Sequence, residues 1–408
     1  TMGANYYVIS GLDDIAWLLN IRARDIKCNP LTISYTVVSE KKYYLFIDDK
    51  KINSEVRAEL EKANVEIKPY ENIGEFLGKI KDGAILLDAA RTSTWIYSSI
   101  NIKILESMDI TTRFKGIKNE IQIKNVRKAM VRDGVAMVKF ITWMKKTIKS
   151  RNITEIEASD KIEEIRSVGE NFYDLSFASI SAYKANASMP HYTATIKNQA
   201  TIKPKGLYLL DSGAQYLDGT TDITRTLAVG PLTDEEKTDY TLVLRGMINL
   251  TMQRFLYGTT GSNLDIIARI PLWNAGMDYK HGTGHGVGFF LNVHEGPHRI
   301  SVIPNTIVLE KGMVVSNEPG VYKAGKHGIR IEDLVVAQED EKTEYGGQFM
   351  KFETLTLCPI DLEAIEVSLL TKDEKSWLNN YHKTVFEKLS IYLKGEELEY
   401  LKQATVAI

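Results

Sequence analysis

Leu207-Tyr208-Leu209-Leu210-Asp211-Ser212-Gly213, followed shortly by Asp222-Ile223-Thr224-Arg225-Thr226, reads as an apolar strand that ends in an acid and a second strand that begins with one. Ser212-Gly213 and Asp218-Gly219 supply turns between them, so the spacing predicts a hairpin that carries both carboxylates to the same side. A single Asp before Gly ordinarily caps a turn. Two at strand ends, joined by further acids at strand ends downstream, need another explanation.

Those further residues lie in three stretches: His281-Gly282-Thr283-Gly284-His285-Gly286-Val287-Gly288, Glu318-Pro319-Gly320, and Arg330-Ile331-Glu332-Asp333. Asp211, Asp222, Glu318 and Glu332 bring four negative charges, which two divalent cations would neutralise, with His285 completing the ligand set. Without a cation such carboxylates repel, and burying them unpaired costs on the order of several kcal/mol. His281 and His285 have helical zinc-site spacing, but four glycines among them make a poor helix. The segment is expected as a tight loop or irregular strand where backbone approaches a ligand closely. It lacks the G-x-G-x-x-G pattern, which disfavours a dinucleotide loop. Alternation along Ile329 to Val336 is expected to place Arg330, Glu332 and Leu334 on one face. Hard oxygen donors with one imidazole suit Mn²⁺, Co²⁺ or Zn²⁺ better than a thiolate-bound structural zinc.

At 408 residues the chain is expected to form more than one domain. With 51 basic and 53 acidic side chains there is no positive excess to hold a phosphate backbone, so no nucleic-acid partner is expected. Cys28 and Cys358 form no CxxC pattern, which fits a reducing compartment. No apolar run approaches the roughly 20 residues that cross a bilayer, so no membrane partner is expected. Thr1-Met2-Gly3 leads almost at once into the strand-like Tyr6-Tyr7-Val8-Ile9, which suggests a fragment of a longer protein.

Residues 1–115 alternate apolar runs such as Tyr43 to Ile47 and Ile85 to Leu87 with helical patterns such as Asn53 to Asn64, the rhythm of an α/β domain. The pattern lapses around Thr111 to Gly116. A long helix then opens with Asn119 as cap and Gln122 at its third position, and Ile123, Val126, Met130, Met137, Ile141, Met144 and Ile148 give it one apolar face. Thr154/Glu157, Thr233/Glu236 and Thr371/Glu374 repeat the same start signal. Strands are expected over Gly206 to Leu210, Ile223 to Val229, Met313 to Ser316 and Ile329 to Ala337, in a layout of two helical stretches followed by strands that appears once before and once after Pro231. A helical tail, Asp373 to Leu401, carries Trp377, Leu378, Tyr381, Val385 and Leu389 on one stripe for packing on the domain or on a second subunit.

The DSG…DITRT, HGTGHGVG…NVHEGP, EPGVY and GIRIED segments resemble those of the aminopeptidase P family, metal-dependent Xaa-Pro aminopeptidases. Ile9 to Asn20 and Trp377 to His382 resemble the three-domain, cytosolic eukaryotic form of that family. The resemblance implies an α+β architecture: a ribonuclease-H-like creatinase N-terminal-type domain over 1–115, truncated at its start, a pita-bread catalytic domain over 116–365, and a helical extension over 366–408. Measured against the three-domain form, an N-terminal domain is expected to be missing. Asp222 and Glu332 are implied to bridge two metals, with Asp211 completing one site and His285 and Glu318 the other. His191, in Pro190-His191-Tyr192, and His294 are implied to line the substrate cleft, with His281, Arg330 and Tyr322 beside the proline side.

The activity expected is hydrolysis of Xaa-Pro-Yaa peptides by a hydroxide held between the metals, with Glu318 moving the proton, His294 steadying the oxyanion and His191 beside them. Mn²⁺ is the first metal expected, with Zn²⁺ and Co²⁺ as alternatives. A cytoplasmic homodimer is implied. The rivals are a prolidase or methionine aminopeptidase, whose five ligands are the same, and a silent binding module, which would have lost ligands that this chain keeps.

Overall fold

The computed structural model describes residues 3–408, so Thr1 and Met2, on which the fragment reading partly rested, lie outside it. The chain forms two compact units, Thr1–Lys115 and Gly116–Ile408.

The first unit is built on a six-stranded mixed sheet. Tyr6–Ile9 pairs parallel with Ala84–Leu87 and antiparallel with Ser34–Ser39, while Tyr43–Ile47 runs parallel to Val65–Pro69. Both faces are covered, one by Ile73, Leu77 and Ile96 against Val8, Val37 and Phe46, the other by Ile15 and Leu60 against Ile9, Leu45 and Ile47. That double burial explains the continuous apolar runs. Thr111 to Gly116, expected as a lapse, belongs to a short helix, Ile110–Gly116.

The second unit opens with the 28-residue helix Glu120–Thr147, whose capping box joins Asn119 and Gln122. Its apolar stripe serves two sheets. Ile123, Val126 and Met130 pack with Val314, Leu334 and Val336, and Met137, Ile141 and Met144 pack with Tyr208, Leu210 and Ile223. The smaller sheet orders Ile223–Ala228, Leu207–Ser212 and Ile180–Tyr183 antiparallel. The larger has six strands, with Gly284–Gly286 between Glu295–Ile300 and Val314–Asn317, and Asp333–Thr343 next along. Thr154, Thr233 and Thr371 each cap a helix, with full capping boxes at the last two. The tail is two helices, Lys372–Leu389 and Gly395–Ala404, and its stripe of Leu378, Tyr381, Val385 and Leu389 joins the unit's own core beside Val243 and Met247.

Two expectations about strands need correction. Ile329 to Ala337 is not continuous: His327–Arg330 ends, Ile331 and Glu332 form a break, and Asp333–Thr343 begins. The alternation that put Arg330, Glu332 and Leu334 on one face therefore fails, because Arg330 pairs with Gly320 in a separate two-stranded sheet while Leu334 pairs with Ser316. Two glycines of the histidine loop let strands approach closely, while Gly282 and Gly284 line the cavity described below. A Cβ on Gly284 would lie 1.8 Å from the Ser316 carbonyl oxygen, and one on Gly286 2.3 Å from that of Glu295.

Candidate metal centre

The acids arrive from the three-stranded sheet of Leu207–Ser212 and from the six-stranded sheet of the second unit. Asp211 lies in Leu207–Ser212 and Asp222 immediately precedes Ile223–Ala228, and the pairing of those strands sets Asp211 opposite Thr224. A small hairpin, Ala214–Tyr216 with Gly219–Thr220, fills the connection between them. His285 lies in Gly284–Gly286, Glu318 follows Val314–Asn317, and Glu332 sits in the break before Asp333.

Asp222, His285 and Glu332 each offer a ligand atom, and those atoms lie within 4.8 Å of one another. His285 Nε2 is 3.5 Å from Asp222 Oδ2 and 3.5 Å from Glu318 Oε1, while its Nδ1 lies 3.0 Å from the Gly286 carbonyl oxygen. A proton donated from Nδ1 to that carbonyl leaves the Nε2 lone pair facing the acids, the tautomer a metal ligand needs. Asp211 divides its oxygens: Oδ2 accepts from Arg330 Nη2 at 2.5 Å, and Oδ1, buried, has no hydrogen-bond partner. Thr224 Oγ1 donates to Glu332 Oε2 at 2.8 Å and accepts from Arg330 Nε at 3.2 Å.

The electrostatics of the donor set ask for positive charge. Burial, reinforced by Asp211 and Glu318, pushes Asp222 up to about 7 despite its contact with His285. Burial and the charges of Asp222, Glu318 and Asp211 hold Glu332 well above the usual carboxylate range. Burial works to lower His285, but its hydrogen bond to Asp222 and the charge of Glu318 push it up to about 9. A proton there is the nearest substitute for a cation. Four converging carboxylates, one unpartnered buried oxygen and a suitably oriented imidazole fit a divalent metal pair.

Nine of the ten residues singled out in the sequence line one cavity of about 380 Å³: His191, Asp211, Asp222, His281, His285, His294, Glu318, Arg330 and Glu332. Tyr322 stands behind that wall, accepting from Arg330 Nη1 and contacting His281 Nε2, both at 2.8 Å. With His281 Nδ1 directed at the Gly282 carbonyl, the Tyr322 hydroxyl donates to Nε2, and a continuous chain runs Asp211–Arg330–Tyr322–His281. Burial pushes Tyr322 up to about 12 and lowers His281. His294 stacks edge-on to His285 with ring centroids 4.3 Å apart, and burial together with the charge of His285 brings it down to about 4.

Several supporting residues carried no sequence signal strong enough to single them out. Ser316 Oγ accepts from His285 N and donates to Glu318 Oε1 at 3.0 Å. Arg269, buried and paired with Asp265, donates to the His281 carbonyl at 2.9 Å and so fixes the histidine loop from behind. Asp265 and Arg269 are four apart on a helix, a spacing that ordinarily marks an exposed pair. Phe177, Ile180 and Ile303 give the cavity its apolar side.

Comparison with known proteins adds three matches along the chain: residues 1–122 to the creatinase/prolidase N-terminal domain, 124–339 to metallopeptidase family M24, and 348–408 to the C-terminal region of peptidase M24. The expectation that an N-terminal domain is missing is not borne out, because the first of these occupies the first unit. Xaa-Pro aminopeptidase 1 of Dictyostelium discoideum is 42% identical over 394 residues, covering 95% of this chain and 62% of its own length. The chain therefore spans less than two thirds of that relative. The structure of X-prolyl aminopeptidase from Caenorhabditis elegans, described as a cytosolic enzyme with a di-nuclear active site, matches with a TM-score of 0.95 and 37% identity over 99% of this chain and 68% of that one. An Xaa-Pro dipeptidase from Bacillus anthracis matches at TM-score 0.69 and 24% identity, covering 88% of this chain and 95% of that one, a likeness of fold alone.

Proposed function

The chain belongs to metallopeptidase family M24, and on that premise we propose that it is a two-metal Xaa-Pro aminopeptidase, releasing the N-terminal residue of peptides with proline in second position. Its second unit has the pita-bread fold, preceded by a creatinase N-terminal domain. The observation that carries the activity is the convergence of Asp222, His285 and Glu332 on the wall of a peptide-sized cavity.

Asp222 and Glu332 would hold both cations, Asp211 would complete one site through Oδ1, and His285 with Glu318 would complete the other. Bound there, two divalent cations supply Lewis acidity, lowering the pKa of water and polarising the peptide carbonyl. Glu318 has Oε1 fixed by Ser316, which leaves Oε2 to take the proton of the attacking water and pass it to the proline nitrogen as the bond breaks. His294, neutral at working pH, donates to the developing oxyanion. His191, also on the cavity lining, orients the substrate backbone. The Arg330–Tyr322–His281 chain shapes the proline side, and Arg330 also holds Asp211 by Oδ2, which leaves Oδ1 for the cation. The substrate ammonium binds near Asp211, which limits cleavage to one residue.

Oxygen-dominated donors favour Mn²⁺ as the first metal to test, before Zn²⁺ or Co²⁺. Cys28 and Cys358 are both buried and form no CxxC pattern, which suits a reducing compartment and supports a cytoplasmic setting. No helix among the described residues is long and apolar enough to cross a membrane. The family resemblance supports a homodimer. The test is incubation of metal-stripped protein, restored with Mn²⁺ or Zn²⁺, with an Xaa-Pro-Yaa tripeptide, an Xaa-Pro dipeptide and a Met-Ala-Yaa tripeptide. Cleavage of the first alone is expected. Cleavage of only the dipeptide replaces the reading with prolidase, and cleavage of only Met-Ala-Yaa replaces it with methionine aminopeptidase.

A further inference from the structure

Glu155, the first residue of helix Glu155–Ser167, is fully buried and faces no cation within ion-pair distance among the described residues. Its carboxylate instead collects hydrogen bonds from one loop. Oε1 accepts from the backbone N–H of Tyr183 at 2.6 Å, and Oε2 accepts from the backbone N–H of Ala200 at 2.6 Å. Asn186 Nδ2 reaches both oxygens at 3.1 Å, and the Tyr192 hydroxyl donates to Oε2 at 2.8 Å. Tyr183 and Ala200 are the two ends of the 184–199 loop, so one side chain closes its neck while gripping Asn186 and Tyr192 inside it. Two further ties to the Glu155 backbone keep the helix start fixed: Glu155 N–H donates to the Ala200 carbonyl, and the Ser181 hydroxyl donates to the Glu155 carbonyl at 2.6 Å.

This loop carries Pro190 and His191 into the cavity, and Tyr192 is the very next residue. The loop also begins with Lys184 at φ 49°, a left-handed conformation that a side-chain-bearing residue keeps only when its surroundings impose it. It presses on the strand that ends in Arg330: a Cβ on Gly328 would lie 1.7 Å from the Ala187 carbonyl oxygen. Nothing else among the described residues ties both ends of the loop to a single side chain.

We propose that Glu155 is a positioning residue that clasps the neck of the 184–199 loop and thereby holds Pro190 and His191 against the cavity. The inference rests on the peptidase reading of that cavity. Glu155→Gln keeps the shape but turns one acceptor into an NH₂ donor facing N–H groups, so at least one end of the loop is released. The expected result is a 10- to 100-fold fall in kcat/KM on an Xaa-Pro-Yaa tripeptide, the scale of loss that a small misplacement of a contact residue produces. Mn²⁺ binding stoichiometry should stay at the wild-type value, and amide hydrogen exchange should rise across 186–199. In a His191→Ala background, Glu155→Gln should add less than a twofold further loss, because its effect runs through His191.

Full additivity of the two substitutions overturns the proposal, as does wild-type kcat/KM in Glu155→Gln. Should Glu155→Gln fail to fold, Tyr192→Phe removes one donor from the clasp and must give the same changes at threefold to tenfold. If wild type cleaves no peptide, the peptidase reading falls, while hydrogen exchange across the loop still decides whether Glu155 closes it.

Discussion

Glu318 and Asp211 are both acids near strand ends, yet each has one oxygen committed to a different neighbour, Ser316 for Glu318 and Arg330 for Asp211. On the proposed function, the remaining oxygen of each is the one the chemistry would use. Glu318→Gln keeps the volume and the Ser316 contact but removes the proton acceptor, so turnover should drop by roughly 10²- to 10⁴-fold while circular dichroism stays that of wild type. Near-normal turnover in that variant would remove Glu318 from the proton path. Arg330 shows how far a residue's neighbourhood can mislead. In sequence it sits two residues from Glu332 in a strand-like run, where an Arg-Glu couple taken alone is an ordinary salt bridge. In the fold it is 3% exposed and its ion pair is with Asp211, 119 positions away. The sequence displays these residue types; it does not display their partners.

Elements that begin with a local signal were legible. The capping pairs at Asn119, Thr233 and Thr371 join groups three residues apart, so the interaction that starts the helix lies wholly within the sequence window that displays it. The break at Ile331-Glu332 was not legible, because the apolar alternation continues through it and only the competing pairings, with Gly320–Lys323 on one side and Val314–Asn317 on the other, split the run. The tail helix Lys372–Leu389 makes a prediction of its own. His382 is buried within it and Nε2 accepts the Ile360 N–H at 3.0 Å, while burial and Arg225 hold its pKa down at about 3. The folded value lies below the unfolded one near 6.5, so its contribution is fully present above pH 6.5 and is lost as pH falls from there toward 3. Between pH 7 and 4.5 wild type should lose about 2 kcal/mol more than His382→Gln, which keeps an acceptor without titrating. Urea unfolding of both proteins at the two pH values measures it, and equal losses would show that His382 is not the cause.

At the scale of the whole molecule, all five proposed ligands belong to the unit Gly116–Ile408, and their mutual repulsion is a standing cost of the metal-free fold. Metal that binds only the folded state should therefore stabilise it, by about 2.7 kcal/mol at a hundred times Kd. Scanning calorimetry of stripped protein should show Tm rising by a few degrees on Mn²⁺ addition. Glu332→Gln should lose most of that rise; an undiminished shift would place the metal elsewhere. The sequence by itself determined which side chains could do metal and proton chemistry, where the helices start, and the kind of fold, because residue type, capping and apolar period are local properties. Only the tertiary structure decided that Asp222, His285 and Glu332 meet, that Arg330 belongs to Asp211, and that Glu155 closes a loop rather than merely opening a helix. Each of those depends on contact between distant segments, the hydrogen bond of Thr224 to Glu332 across 108 positions for one, and the free energy that brings such segments together comes from burying whole faces.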